Sequence, residues 1–191
     1  MNRDDLTVSV RLLLVSFLLL GLVYQGSLMA IGATVFPHQA SGSPVTDNGT
    51  VVGSEQIGQE FGPDDPEYFW SRPSSTDYDA MTSGSANLGP TNLALSDRVR
   101  ATLENISRYE TPDDEVPADL VAESGSAYDV HISPAAAEYQ VPRVANQTGI
   151  SEDRLYGMID EATAEPWLGV YGHERVNVLE LNRMVHDELE D

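Results

Sequence analysis

Leu12–Phe36 reads LLLVSFLLLGLVYQGSLMAIGATVF, 25 residues without a charged side chain, and everything after it is polar and acidic. At ~1.5 Å rise per residue a helix of this length reaches about 37 Å, enough to cross a ~30 Å hydrocarbon core with some tilt. The stretch therefore predicts a membrane-spanning helix. A cleaved signal peptide would need a shorter apolar core and small residues at its cut, and the best candidates, Ala30 and Gly32, lie past a core already of spanning length. A buried helix of a soluble domain would not run apolar on all faces for so long.

Working outward, Arg3 and Arg11 precede the span and the next basic residue is Arg72. The positive-inside rule then puts the N-terminus in the cytoplasm. Residues 1–11 are expected to be a cytoplasmic tail, 12–36 the transmembrane helix and 37–191 one extracytoplasmic domain, which fits the usual domain size of ~100 to 200 residues.

The net charge of −21, from 31 acidic and 10 basic residues, excludes nucleic-acid binding through a basic surface. All ten basic residues are Arg. An acidic surface without Lys resembles adaptation to very high salt, where a Debye length of ~3 Å at 1 M screens self-repulsion. Without Lys the chain cannot build a Walker A loop, a Schiff base or a Ser-Lys dyad. Without Cys it has no disulfide, thiol nucleophile or Cys-ligated metal.

Within the span, a projection of about 100° per residue groups Gly21, Gln25 and Gly32 on one stripe, with Gly26, Ala30 and Ala33 on a neighbouring one. Leu13, Phe17, Leu20, Tyr24 and Ile31 are read as the opposite, lipid-facing side. Small residues let a second helix approach, and Gln25 offers a hydrogen bond across the contact. Pro37 ends the helix, and residues 38–49 read as a connector. Val51–Ser54 predicts a short strand, Pro63–Pro66 a turn, and Tyr68-Phe69-Trp70 three aromatics that must meet a core or an interface. Ser71–Asn92 is expected to be an ordered loop.

The spacing of Leu95, Val99, Leu103 and Ile106 predicts a helix over 93–109. Short strands are expected at 116–121 and 128–132. Ser133 and Pro134 mark the start of a helix that runs to Gln147, kinked at Pro142 and stopped by Gly149. Ser151 caps a third helix with Leu155, Met158 and Ile159 on its apolar edge. Trp167–Tyr171 is an apolar patch closed by Gly172, and 175–179 alternates like a strand before a final helix over 180–189. The fold class is α+β, with short strands, three or four helices and long loops behind one N-terminal transmembrane helix.

Asp129 and His131 share a face if extended, but a metal usually needs three or four ligands. A His fixed by a carboxylate within the fold is the better reading. Ser124 and Ser126 near His131 invite a hydrolase reading, although the nucleophile elbow G-x-S-x-G is absent. Asn48, Asn105 and Asn146 begin glycosylation acceptor patterns in the segment expected outside.

Several long strings occur in order along the chain: Gly53–Gln59 (GSEQIGQ), Tyr68–Ser74 (YFWSRPS), Asn87–Asn92 (NLGPTN), Ser124–Ser126, Asp129–Ser133, Gln140–Ala145 and Arg175–Asn182 (RVNVLELN). Together they resemble the C subunit of the Kdp potassium-transporting ATPase. Two departures stand out: Ser83-Gly84-Ser85-Ala86 where that family usually has Ser-Gly-Gly-Ser, and Val130 where it usually has Pro. The resemblance implies a singly spanning, non-catalytic accessory subunit of an ATP-driven potassium importer. Its implied partners are a potassium-binding channel-like subunit and a P-type ATPase subunit, besides membrane lipid. ATP and potassium would be handled by the complex, because a chain without Lys cannot supply the Asp-Lys-Thr-Gly phosphorylation motif. The family's C subunit is described as a catalytic chaperone that raises ATP affinity, whereas the expected topology opposes direct nucleotide contact. Gly21, Gln25, Gly26 and Ala30 in the span, with Arg72, Asn87 and Asn92 in the domain, are the candidate partner interface; closing the fold through Asn and Gly turns is the plainer role for the last loop. The alternatives are an anchored extracytoplasmic hydrolase and an anchored binding module for another partner.

Overall fold

The computed structural model describes residues 2–47, 49–110 and 115–190. It divides into two compact units, Met1–Pro44 and Val45–Asp191.

The first unit is one long helix, Arg3–Val35. It comprises α1 (Arg3–Ser16), a π-helical stretch (Phe17–Tyr24) and α2 (Gln25–Val35). The helix begins well before the apolar run because Asn2 and Asp5 form a capping box, with Asn2 N donating to Asp5 Oδ2 at 3.2 Å. Residues 3–11, expected as a tail, are therefore helical. The helix stops at Val35, since Phe36 precedes a proline and is pushed out of the helical region to φ −130°. The expected connector holds more structure than its composition suggests: Pro37 opens a single turn, α3 (Pro37–Ala40), and β1 (Pro44–Asp47) follows.

In the second unit β1 pairs with β2 (Thr50–Ser54), the strand expected at 51–54. An ordered loop leads to α4 (Leu93–Tyr109), which has the predicted bounds. The segment at 116–121 is a 3₁₀ turn (Ala118–Leu120) rather than a strand. Pro117 has no N–H for a ladder, its carbonyl accepts from Leu120 N at 3.0 Å, and Asp119 turns its carboxylate to Ser133 N at 2.9 Å. The strand expected at 128–132 shrinks to β3 (His131–Ile132), because the preceding turn places Ala127 at φ +69°. Here Gly58 N donates to Tyr128 O at 2.7 Å, and a Cβ on Gly58 would lie 2.8 Å from Asp129 O, so this crossing requires glycine.

The kinked helix resolves into two, α5 (Pro134–Glu138) and α6 (Val141–Thr148), separated at Tyr139–Gln140. Ser133 Oγ accepts from Ala136 N, and Gly149 at φ +78° ends α6. Next come α7 (Glu152–Ala162), capped by Ser151, then β4 (Thr163–Ala164), β5 (Arg175–Asn177) and α8 (Val178–Glu190). β5 lies between β3 and β4, antiparallel to both, with Val176 opposite Ile132 and Thr163. The core forms where Leu155, Met158 and Ile159 of α7 and Leu181 and Val185 of α8 meet Val176 and Phe69. The result is the mixed α and β class expected, with the one predicted helix resolved as two.

Candidate functional site

Two of the aromatic trio, Phe69 and Trp70, sit in the core of the domain, and Tyr68 packs against it partly buried. Phe69 is fully buried and Trp70 nearly so. Their backbone groups belong to no strand, and two amide side chains satisfy them. Asn182 of α8 accepts from Phe69 N at 2.8 Å and donates to Phe69 O at 2.9 Å. Gln140, at the break between α5 and α6, accepts from Trp70 N at 2.7 Å and donates to Trp70 O at 3.4 Å. Buried backbone polar groups must find partners, and here helices supply what a neighbouring strand would otherwise give.

Arg143 of α6 locks this arrangement. Its guanidinium donates to Glu110 Oε1 at 2.6 Å, to Gln140 Oε1 at 2.7 Å, to Tyr68 O at 2.9 Å and to Pro66 O, and lies 4.3 Å over the Trp70 ring. Both charged side chains are almost wholly buried. Burial pushes the Glu110 carboxyl up, against the lowering pull of Arg143, and burial pushes Arg143 down, against the charge of Glu110. Tyr109 meets Trp70 edge-on at 5.3 Å between ring centroids. The Tyr68 hydroxyl lies 2.9 Å from His186 Nδ1.

The loop beyond the trio is pinned by Arg72. Its Nε donates to Ala122 O at 3.3 Å, and Nη1 lies 3.7 Å from Asp119 and 3.6 Å from Asp129. The Tyr78 hydroxyl donates to Arg72 O, and burial pushes its pKa up to about 12. Asp129 in turn holds His131 through Nδ1 and the backbone N, both at 3.1 Å. The hydrogen bond from the His131 ring is the chief reason its carboxyl lies below the usual range, with burial opposing and Arg72 adding. The His fixed by a carboxylate is thus present, with Arg72 as a third member. Arg72 also borders a cleft of about 200 Å³ between residues 60–78 and α4, floored by Trp70, Ile106 and Leu120.

Asn92 is the N-cap of α4, its side chain accepting from Ala94 N at 2.9 Å. Asn87 sits at φ +51°, its side chain donating to Ser85 O at 3.0 Å. Glu123 accepts from Ser85 Oγ at 2.8 Å and pairs with Arg98 of α4 at 2.9 Å, joining the loop to the helix. Burial would raise its pKa, but hydrogen bonds from Ser75, Ser85 and Arg98 hold it below the usual range. Ser124 Oγ accepts from Ala127 N at 3.0 Å and Asp129 N at 3.4 Å, organising the turn that Ala127 strains.

In the long helix Gly21, Gln25, Gly26 and Ala30 are all exposed. A Cβ on Gly26 would meet nothing within 4 Å, leaving an open notch. At Gly21 a Cβ would lie 3.7 Å from the Phe17 ring, so Phe17 stands beside Gly21 and not opposite it. Four residues apart, the two positions are separated by only about 40° even at 100° per residue, so an ordinary helix already makes them neighbours, and Phe17 does not belong to an opposite, lipid-facing side. Sequence reading missed the amide clasp of Gln140 and Asn182 and the Arg143–Glu110 pair. The polar residues amid apolar positions of α6 and α8 were the available signal.

The sequence model of one family, described as KdpC: K+-transporting ATPase, c chain, matches residues 6–187. A potassium-transporting ATPase KdpC subunit of Halobacterium salinarum is 69% identical over 196 residues, covering 100% of this chain and 91% of its own length. The corresponding subunit of Shewanella putrefaciens is 44% identical over 163 residues, covering 85% of this chain and 81% of its own length. That of Caldanaerobacter subterraneus is 39% identical over 188 residues, covering 97% and 96%. The Halobacterium relative agrees with the high-salt reading of the acidic, lysine-free composition. With the match running from the long apolar helix through α8, the chain belongs to the KdpC family, the c chain of potassium-transporting ATPases.

Proposed function

We propose that this chain is the non-catalytic accessory subunit of an ATP-driven potassium importer, anchored by Arg3–Val35 with its N-terminus in the cytoplasm and its domain outside. The carrying observation is the family match over 6–187 on a chain whose long helix is exposed along its length. A helix apolar on every face needs lipid or other helices around it. The catalytic residues then lie on a P-type ATPase subunit, and a channel-like subunit binds the potassium. Gly21, Gln25, Gly26 and Ala30 are proposed to face a partner helix, with the open notch at Gly26 as the point of closest approach. Arg72, Asn87 and Asn92 act outside the membrane by holding the loop that a partner reads. Binding of this subunit favours the assembled complex and biases the pump's conformational equilibrium, raising apparent ATP affinity without touching nucleotide.

Extraction in mild detergent tests this. The chain is expected to bring down two large membrane proteins with potassium-stimulated ATPase activity, and deleting it to abolish uptake at low potassium. A chain recovered alone, with uptake unchanged by deletion, overturns the reading. A reporter active only in the cytoplasm, fused after Asp191, is expected to stay silent; a strong signal reverses the topology and reopens direct nucleotide contact.

A further inference from the structure

The connection between β4 and β5 ends in an apolar tip on which the domain's own fold makes no use. Trp167, Leu168, Val170 and Tyr171 are 69%, 72%, 76% and 66% exposed. The tip is nevertheless fixed. Trp167 N donates to Tyr171 O at 2.9 Å, and Trp167 O accepts from Tyr171 N at 3.0 Å and Val170 N at 3.2 Å. Leu168 and Gly169 stand in the left-handed region at φ +55° and +69°. A leucine is disfavoured there, and a folded chain gains nothing by holding one in that strain only to expose it to water.

The order of side chains specifies what would cover it. Leu168 and Val170 lie at the apex, beyond the paired Trp167 and Tyr171, whose rings are 5.9 Å apart. Behind them come Glu165, His173, Glu174 and Arg175. Aliphatic, then aromatic with a polar edge, then charged is the layering of a bilayer surface: hydrocarbon, headgroup boundary, water. A convex tip with no polar side chain at its apex suits a fluid surface better than a matched protein pocket. The chain also supplies that surface itself. Only residues 36–43 separate the long helix from β1, and so short a tether makes lipid contact an intramolecular event at high effective concentration. The acidic surface opposes approach to anionic headgroups at low ionic strength, and molar salt screens this within ~3 Å.

We infer that Trp167–Tyr171 inserts into the interfacial layer of the bilayer as a second, shallow membrane attachment. This rests on the anchored reading above. The chain has two tryptophans, Trp70 buried in the core and Trp167 at the tip, and none in the long helix, so lipid quenching of emission reports the tip. The full chain is reconstituted in molar KCl into phosphatidylcholine vesicles with or without bromine on the acyl chains. The expected result is a loss of Trp167 emission with brominated lipid, together with a shift to shorter wavelength. Leu168→Asp with Val170→Asp should restore the emission while the chain still floats with the vesicles; both positions are exposed, and Asp tolerates the left-handed turn. A floating chain whose emission ignores bromine overturns the inference and leaves the anchor standing, as does quenching that the double variant fails to relieve. Shielding of Trp167 from acrylamide that needs partner subunits or higher protein concentration, without bromine quenching, overturns it in favour of a protein occupant. A chain that does not float overturns the anchored reading and this inference with it.

Discussion

Between Arg3 and Val35 no side chain is buried, whereas in the domain Phe69, Gln140, Val144, Leu155 and Val176 have lost all contact with solvent. The two regions solve the same problem in opposite ways. The helix satisfies its backbone internally and leaves its apolar surface for others to cover. The domain covers its own apolar surface but runs Phe69-Trp70 through the core without a strand partner, and so needs Gln140, Arg143 and Asn182 to complete it. Polar groups therefore have opposite uses in the two regions. In the span Gln25 is exposed on the helix surface and available to another chain; in the domain Gln140 and Asn182 are spent on their own backbone.

The contrast is broken most strongly at the buried ion pair of Arg143 and Glu110. Arg143→Met leaves Glu110 buried without its cation and is expected to cost about 3–5 kcal/mol in unfolding free energy. Denaturant unfolding in molar KCl measures this, and pairing it with Glu110→Gln should recover a large part. Asn182→Leu strips both partners from the Phe69 backbone and is expected to cost about 1–3 kcal/mol for each group left bare. Should it prove neutral, the amide clasp is not what holds the trio.

Two smaller effects concern charge. The Asp129 carboxyl is lowered in the folded state, so its contribution is present above the unfolded value of ~3.9 and is lost as pH falls through the folded value. Acid unfolding followed from neutral pH downward should show this loss, and Asp129→Asn should flatten it; an unchanged profile would remove Asp129 from the account. Stability should also rise between low and molar salt as repulsion from the −21 charge is screened. Smallest for the domain is Gln25→Leu, expected to leave its unfolding within about 0.5 kcal/mol of the parent while lowering copurification of partner subunits. A change in the domain and none in assembly would invert the comparison.

Much of this was legible from residue order. Ser133 and Ser151 announce helix starts because a cap is a contact between residues three apart, whereas Asn92, expected as an interface residue, proves to cap α4. Gly149 announces a stop for the same reason. The 116–121 segment misled because its apolar content suits a strand while Pro117 forbids the ladder, and Asp119 finds its partner fourteen residues away. Arg72 stood out as the one cation in a long loop, but the carboxylates it joins, Asp119 and Asp129, are brought together only by folding.

By itself the sequence determined the long apolar helix, the bounds of α4, the helix starts at Ser133 and Ser151 and the membership of the family, since each rests on composition, periodicity or neighbouring residues. Tertiary structure alone decided that Gln140 and Asn182 replace a strand, that Arg143 and Glu110 share the core, and that the Trp167–Tyr171 turn stands outside it. Such contacts join residues 33 to 113 positions apart, and no local pattern encodes which of several amides or carboxylates arrives at a given buried group.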